Sequence, residues 1–128
     1  MKKTNKFATA INCIDGRVQV PLSDFIKANY NIDYVDMITV PGPDKVLSGY
    51  EDANEIESIR RKVLISCDKH DSRLLFIAAH YDCAGNPCDE KEHLRQVKKA
   101  IENVEKWNIN SEIFGLWIDK ELRVSLIK

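Results

Sequence analysis

Apolar, strand-like runs alternate with helical stretches along this chain, and two of those runs end in metal-ligand side chains. F-A-T-A-I-N leads directly into Cys13, and L-L-F-I-A-A leads into His80, with Cys83 in the same short cluster. In an open parallel sheet, strands that run the same way finish on one edge, and ligands bind in the crevice outside those ends. Two thiolates and one imidazole form a donor set typical of zinc. Three protein ligands rather than four leave a coordination position open, as catalytic zinc requires.

The remaining pattern completes the alternation. Phe7 to Asn12 reads as a buried strand. Pro21 opens a short helix through Asn29, with Leu22, Phe25 and Ile26 on one face. Tyr34 to Val40 is a second strand, stopped by Pro41-Gly42-Pro43. A loop of about a dozen residues follows, longer than most connections in compact domains. Ile56, Ile59, Val63 and Cys67 then recur at helical spacing from Asn54 to about His70, with Asn54 as the cap and Glu55 and Glu57 suited to the first turn. Arg73 to Ala79 is a third strand, apolar enough to be covered on both faces.

The loop His80 to Asp89 carries Gly85 and the turn pair Asn86-Pro87. Glu90 to Trp107 is a long helix with Leu94, Val97, Ile101 and Val104 as its stripe. Glu112 to Ile118 is a fourth strand, and Leu122 to Ile127 returns after a tight turn as an antiparallel edge. This predicts a single-domain α/β fold over residues 1–128: an open, mostly parallel sheet in the order 2-1-3-4 plus that edge strand, with helices on both faces. The winding direction reverses between strands 2 and 3, so Cys13 and His80 meet at the switch point.

Composition narrows the partners. A net charge of −1 over 128 residues gives no basic field for nucleic acid or an anionic membrane. Lys2, Lys3 and Lys6 precede an apolar stretch too short for a signal peptide, and no segment is long enough to span a bilayer. The expected compartment is the reducing cytoplasm, where four cysteines read as ligands or buried thiols rather than disulfides.

The clusters Cys13-Ile14-Asp15-Gly16-Arg17 and His80-Tyr81-Asp82-Cys83 resemble the C-x-D-x-R and H-x-x-C motifs of the β-class carbonic anhydrases. The similarity extends from about Phe7 to Leu126 and includes the closing hairpin I-F-G-L-W-I-D-K-E-L. It implies zinc held by Cys13, His80 and Cys83, and zinc-bound hydroxide attacking carbon dioxide to give bicarbonate. It also implies catalytic roles for Asp15, which accepts a hydrogen bond from the zinc-bound water, and Arg17, which grips that carboxylate. A homodimer with the site near its interface is implied as well. Asp15 itself fills the fourth zinc position in an alternative state of that class. Gly16 is expected to let the chain turn tightly.

Three departures mark a minimal member. Pro41-Gly42-Pro43-Asp44-Lys45 replaces an R-N-A-G-N-like loop, with Lys45 a partial substitute. Cys83-Ala84-Gly85 replaces C-G-G, and no helical arm precedes strand 1. Carbonyl sulfide or carbon disulfide hydrolysis on the same site, or a zinc domain without catalysis, stay open as alternatives. Cys67 reads as core and Cys88 as a loop thiol. His70 and His93 read as solvated, Trp107 and Trp117 as packing residues, and Gln19 as a pocket residue. Asp82 fits either a place beside the metal or an exposed one.

Overall fold

The structure is a computed structural model that describes residues 5–127, so Lys2 and Lys3 lie outside it. Five strands form one sheet: β1 (Phe7–Asn12), β2 (Tyr34–Thr39), β3 (Leu74–His80), β4 (Glu112–Ile118) and β5 (Val124–Leu126). Their order is β2-β1-β3-β4-β5. β1 pairs in parallel with both β2 and β3, β3 with β4, and among the described residues only β4–β5 is antiparallel. The α/β class, strand order and antiparallel edge are those expected from the sequence.

Period-two alternation in the two central strands divides the core. Ala8 and Ala10 of β1, with Phe76 and Ala78 of β3, face one side, where they meet Val18, Leu22 and Ile26. These last three lie on α1 (Gly16–Tyr30). Small alanines on the strands let this helix approach the sheet closely. Ile11, Leu75, Ile77 and Ala79 face the other side, under Leu47, Ile59, Val63, Val97 and Ile101. Those residues come from α2 (Pro43–Gly49), α3 (Ala53–Lys69) and α4 (Glu90–Glu105). Both faces carry helices, as a parallel sheet requires.

Four local expectations are corrected. The first helix begins at Gly16, and Pro21 lies inside it. Asp15 caps that helix by accepting the Arg17 N–H at 2.9 Å, so nucleation occurs before Pro21 and the missing proline donor is tolerated further in. The stretch after Pro41-Gly42-Pro43 is α2 rather than a loop. Pro43 occupies the first helical turn, and Gly42 takes the left-handed conformation at φ 57° that turns the chain into it. Buried Leu47 anchors α2, and Asn103 donates to the Leu47 carbonyl at 2.8 Å. The α3 cap is Asp52, which accepts the Glu55 N–H at 3.1 Å, and not Asn54. Gly16 is an ordinary helical position where an added Cβ would meet nothing, so no tight turn depends on it.

Cys67 sits in the core beneath the sheet, its sulfur 3.3 Å from the Ser111 hydroxyl. Cys67→Ala is expected to lower unfolding stability by about 1 kcal/mol, as loss of a small buried group should. Urea denaturation measures this. Metal uptake by the folded variant should be unchanged, and its loss would place Cys67 in the ligand set.

Candidate metal centre

Parallel pairing of β1 with β3 sets the ends of both strands on one edge of the sheet. Cys13 is the first residue beyond β1, and His80 is the last residue of β3. Tyr81 and Asp82 then turn the chain back, with Asp82 in the left-handed region at φ 57°, and Cys83 closes the group. Cys13, His80 and Cys83 are all buried, and their ligand atoms lie within 4.8 Å of one another. The two sulfurs are 3.9 Å apart.

The donor chemistry fits a metal ion. His80 Nδ1 donates to the Tyr81 carbonyl at 2.7 Å, which leaves the lone pair on Nε2. That Nε2 is buried and has no hydrogen-bond partner among the described residues. An orphaned buried acceptor is costly, and a cation between it and the two sulfurs removes the cost. Burial, followed by the neighbouring Cys13 sulfur, pushes the Cys83 thiol up to about 11. The backbone N–H groups of Gly85 and Asn86 pull the other way and favour its thiolate. The buried Cys83 thiol, crowded by a second sulfur, resists ionisation alone, and a bound cation is what makes its thiolate favourable.

Asp15 and Arg17 stand beside this group. Both Asp15 oxygens are held by Arg17: Nε lies 3.1 Å from Oδ1 and 3.2 Å from Oδ2, and Nη2 lies 2.7 Å from Oδ2. Hydrogen bonding from Arg17 is the largest influence on the Asp15 carboxyl and holds it at about 2 against an ordinary 3.8. Arg17 also reaches the second cluster, donating from Nη2 to the Asp82 carbonyl at 3.2 Å. Asp82 itself is exposed, its carboxylate 3.5 Å from Arg17 Nη1. The arginine therefore ties the loop after β1 to the loop after β3.

Other residues brace the turn after Cys13. Gln19 donates to the carbonyls of Cys13 at 2.7 Å and Asp15 at 2.9 Å. Asn12, which the sequence reading passed over, donates to the Cys13 carbonyl at 3.1 Å and to Gln19 at 2.9 Å. Its place at the buried end of a strand, next to a candidate ligand, was the available signal. Lys45 is exposed on α2. Cys88 is half-buried, and Trp117 is buried in the core as expected. His70 is half-exposed and meets Asp36 at 2.6 Å. His93 contradicts its expected solvated position: it is 1% exposed, because it shares the inner face of α4 with Val97, Ala100 and Val104. A larger cleft of about 850 Å³ lies elsewhere, lined by residues such as Phe7, Tyr30, His70 and Arg73, and it holds none of the residues of the metal group.

Residues 3–128 match the family model described as "Putative carbonic anhydrase". A search of the curated proteins finds no match.

Because the folded-state pKa of Asp15 is depressed, its pair with Arg17 contributes stability that is complete above about pH 4. That contribution is lost as the pH falls from 3.8 toward about 2. Urea unfolding of metal-free protein should therefore show wild type losing more stability than Asp15→Asn across this window. Parallel loss in both proteins would contradict the pairing.

Proposed function

The chain belongs to the putative carbonic anhydrase family, and from that premise we propose that it is a β-class zinc lyase. It hydrates carbon dioxide reversibly to bicarbonate at a zinc ion held by Cys13, His80 and Cys83. The observation that carries this reading is the buried convergence of these three side chains within 4.8 Å. Residues 1–128 then make one such unit, working in the cytoplasm as a homodimer or higher homo-oligomer. Ile14, Val20 and Tyr81, each more than half exposed on segments around the site, support an apolar contact there.

Zinc, when bound, supplies the Lewis acidity that brings the pKa of water from about 15.7 to about 7. The protein's part is orientation. Asp15, held ionised by Arg17, offers a carboxylate that accepts a hydrogen bond from the attacking water and fixes its lone pair toward the carbon. At a pKa of about 2 this carboxylate does not retain a proton near neutrality, so the proton passes on to solvent or buffer. Arg17 is the positioning residue: its grip on both oxygens keeps Asp15 ionised and aimed. Were Asp15 to ligate the zinc itself, it would do so with an oxygen that Arg17 holds here.

Asp15→Asn keeps the size of the side chain and removes its charge. At matched zinc occupancy it should lower carbon dioxide hydration by about 100-fold or more, the scale of a lost positioned acid–base group. Arg17→Ala should come close to the same loss. Stopped-flow hydration with a pH indicator measures both, with carbonyl sulfide as a parallel substrate. Wild-type-like rates in Asp15→Asn would remove the pair from the mechanism. Turnover of carbonyl sulfide without hydration of carbon dioxide would replace the substrate.

A further inference from the structure

The first departure from the family pattern, Pro41-Gly42-Pro43-Asp44-Lys45, carries a buried acid. Asp44 lies in the first turn of α2, and its Oδ2 accepts a hydrogen bond from His93 Nδ1 of α4 at 2.6 Å. Both side chains are 1% exposed. The rest of the same loop lies directly against the segment that follows Cys83. A Cβ on Gly85 would stand 2.8 Å from the Pro41 carbonyl carbon and 2.9 Å from the Gly42 nitrogen. A Cβ on Gly42 would stand 2.8 Å from Asn86 Cβ and 3.0 Å from the Gly85 carbonyl carbon. The two backbones thus touch with no side chain between them, which only glycine at both positions allows.

α4 holds both partners of this contact. One turn beyond His93, Gln96 accepts a hydrogen bond from buried Asn86 at 2.6 Å. Asn86 in turn donates its N–H to the Cys83 carbonyl at 3.3 Å, closing the turn that carries this ligand. His93 and Cys83 also line one cleft of about 480 Å³. A path of direct contacts therefore runs from Asp44–His93, through Pro41-Gly42, to Gly85-Asn86 and so to the backbone of Cys83.

We propose that the buried Asp44–His93 pair is a positioning device for Cys83, locking the loop after β2 against the Cys83–Asn86 turn so that this turn holds the Cys83 sulfur beside Cys13 and His80. This rests on the reading of Cys13, His80 and Cys83 as metal ligands. A buried polar pair adds little net stability over apolar packing of the same volume, but its hydrogen bond admits a narrow range of geometry. That suits a residue that must fix a loop. It also accounts for a carboxylate and an imidazole inside a helix–helix contact where leucine and valine would otherwise serve.

Outer partners of metal ligands change affinity by about 10- to 100-fold when lost. Asp44→Ala should weaken zinc binding on that scale, measured by competition with a chromogenic chelator. It should also shift the sulfur-to-metal charge-transfer and ligand-field bands of the cobalt(II)-substituted protein. Asp44→Asn, whose amide oxygen still accepts from His93, should lie closer to wild type in both readouts. Leu22→Ala, a core change on the opposite face of the sheet, should lower stability and leave both unchanged. Wild-type affinity and spectrum in Asp44→Ala, or an equal shift in Leu22→Ala, would overturn the proposal. If Asp44→Ala does not fold, His93→Gln takes its place with the same readouts, and wild-type values there overturn it too. A wild type that takes up neither zinc nor cobalt would refute the ligand assignment itself, and the positioning role with it.

Discussion

The parallel pairing of β1 with β3 is the constraint on which the rest depends. It is a short ladder, running from Thr9 opposite Leu75 to Ile11 opposite Ile77. β2 lies on the far side of β1 and β4 on the far side of β3, so the direction of winding reverses between the two central strands. No crossover helix closes the crevice at that point, and the loops leaving β1 and β3 face each other. Every residue of the metal group sits in or beside those two loops. A register shift of one residue would turn His80 toward the opposite face of the sheet and dissolve the cluster.

Once the loops face each other, a few polar groups fix their spacing. Asp15 serves twice: its side chain caps α1 through the Arg17 N–H, and its carboxylate is gripped by the Arg17 guanidinium. The cap nucleates the helix that buries Val18, Leu22 and Ile26, so the fold of one face and the arrangement of the site share a residue. Arg17 extends the linkage to the Asp82 carbonyl in the other loop. These contacts are half-exposed, and their worth lies in geometry more than in stability.

Much of this was legible in the sequence because strands buried on both faces leave a strong trace. The runs ending in Cys13 and His80 are almost uniformly apolar, and the helices between them carry clear stripes. What escaped was local. Pro21 reads as a helix start, but a side-chain cap six residues earlier, Asp15, competes with it and wins. Pro43 reads as a stop, although proline is equally at home in a first helical turn, and α2 is too short for periodicity to announce it. His93 reads as solvated because histidine is polar. Its spacing from Val97, Ala100 and Val104 placed it on the inner stripe, and only its partner Asp44, distant in the chain, makes that burial tolerable.

The most direct test of the account is the coordination shell of the zinc-loaded protein, read by X-ray absorption at the zinc edge with metal content measured on the same sample. The account predicts one zinc per chain. Two sulfur scatterers should lie at about 2.3 Å and one imidazole nitrogen at about 2.0–2.1 Å, with a light-atom donor completing four-coordination. Cys83→Ser should lose a sulfur from that shell or fail to hold the metal. A shell without two sulfurs, or zinc retained in full by a variant lacking Cys13, His80 and Cys83 together, would contradict it.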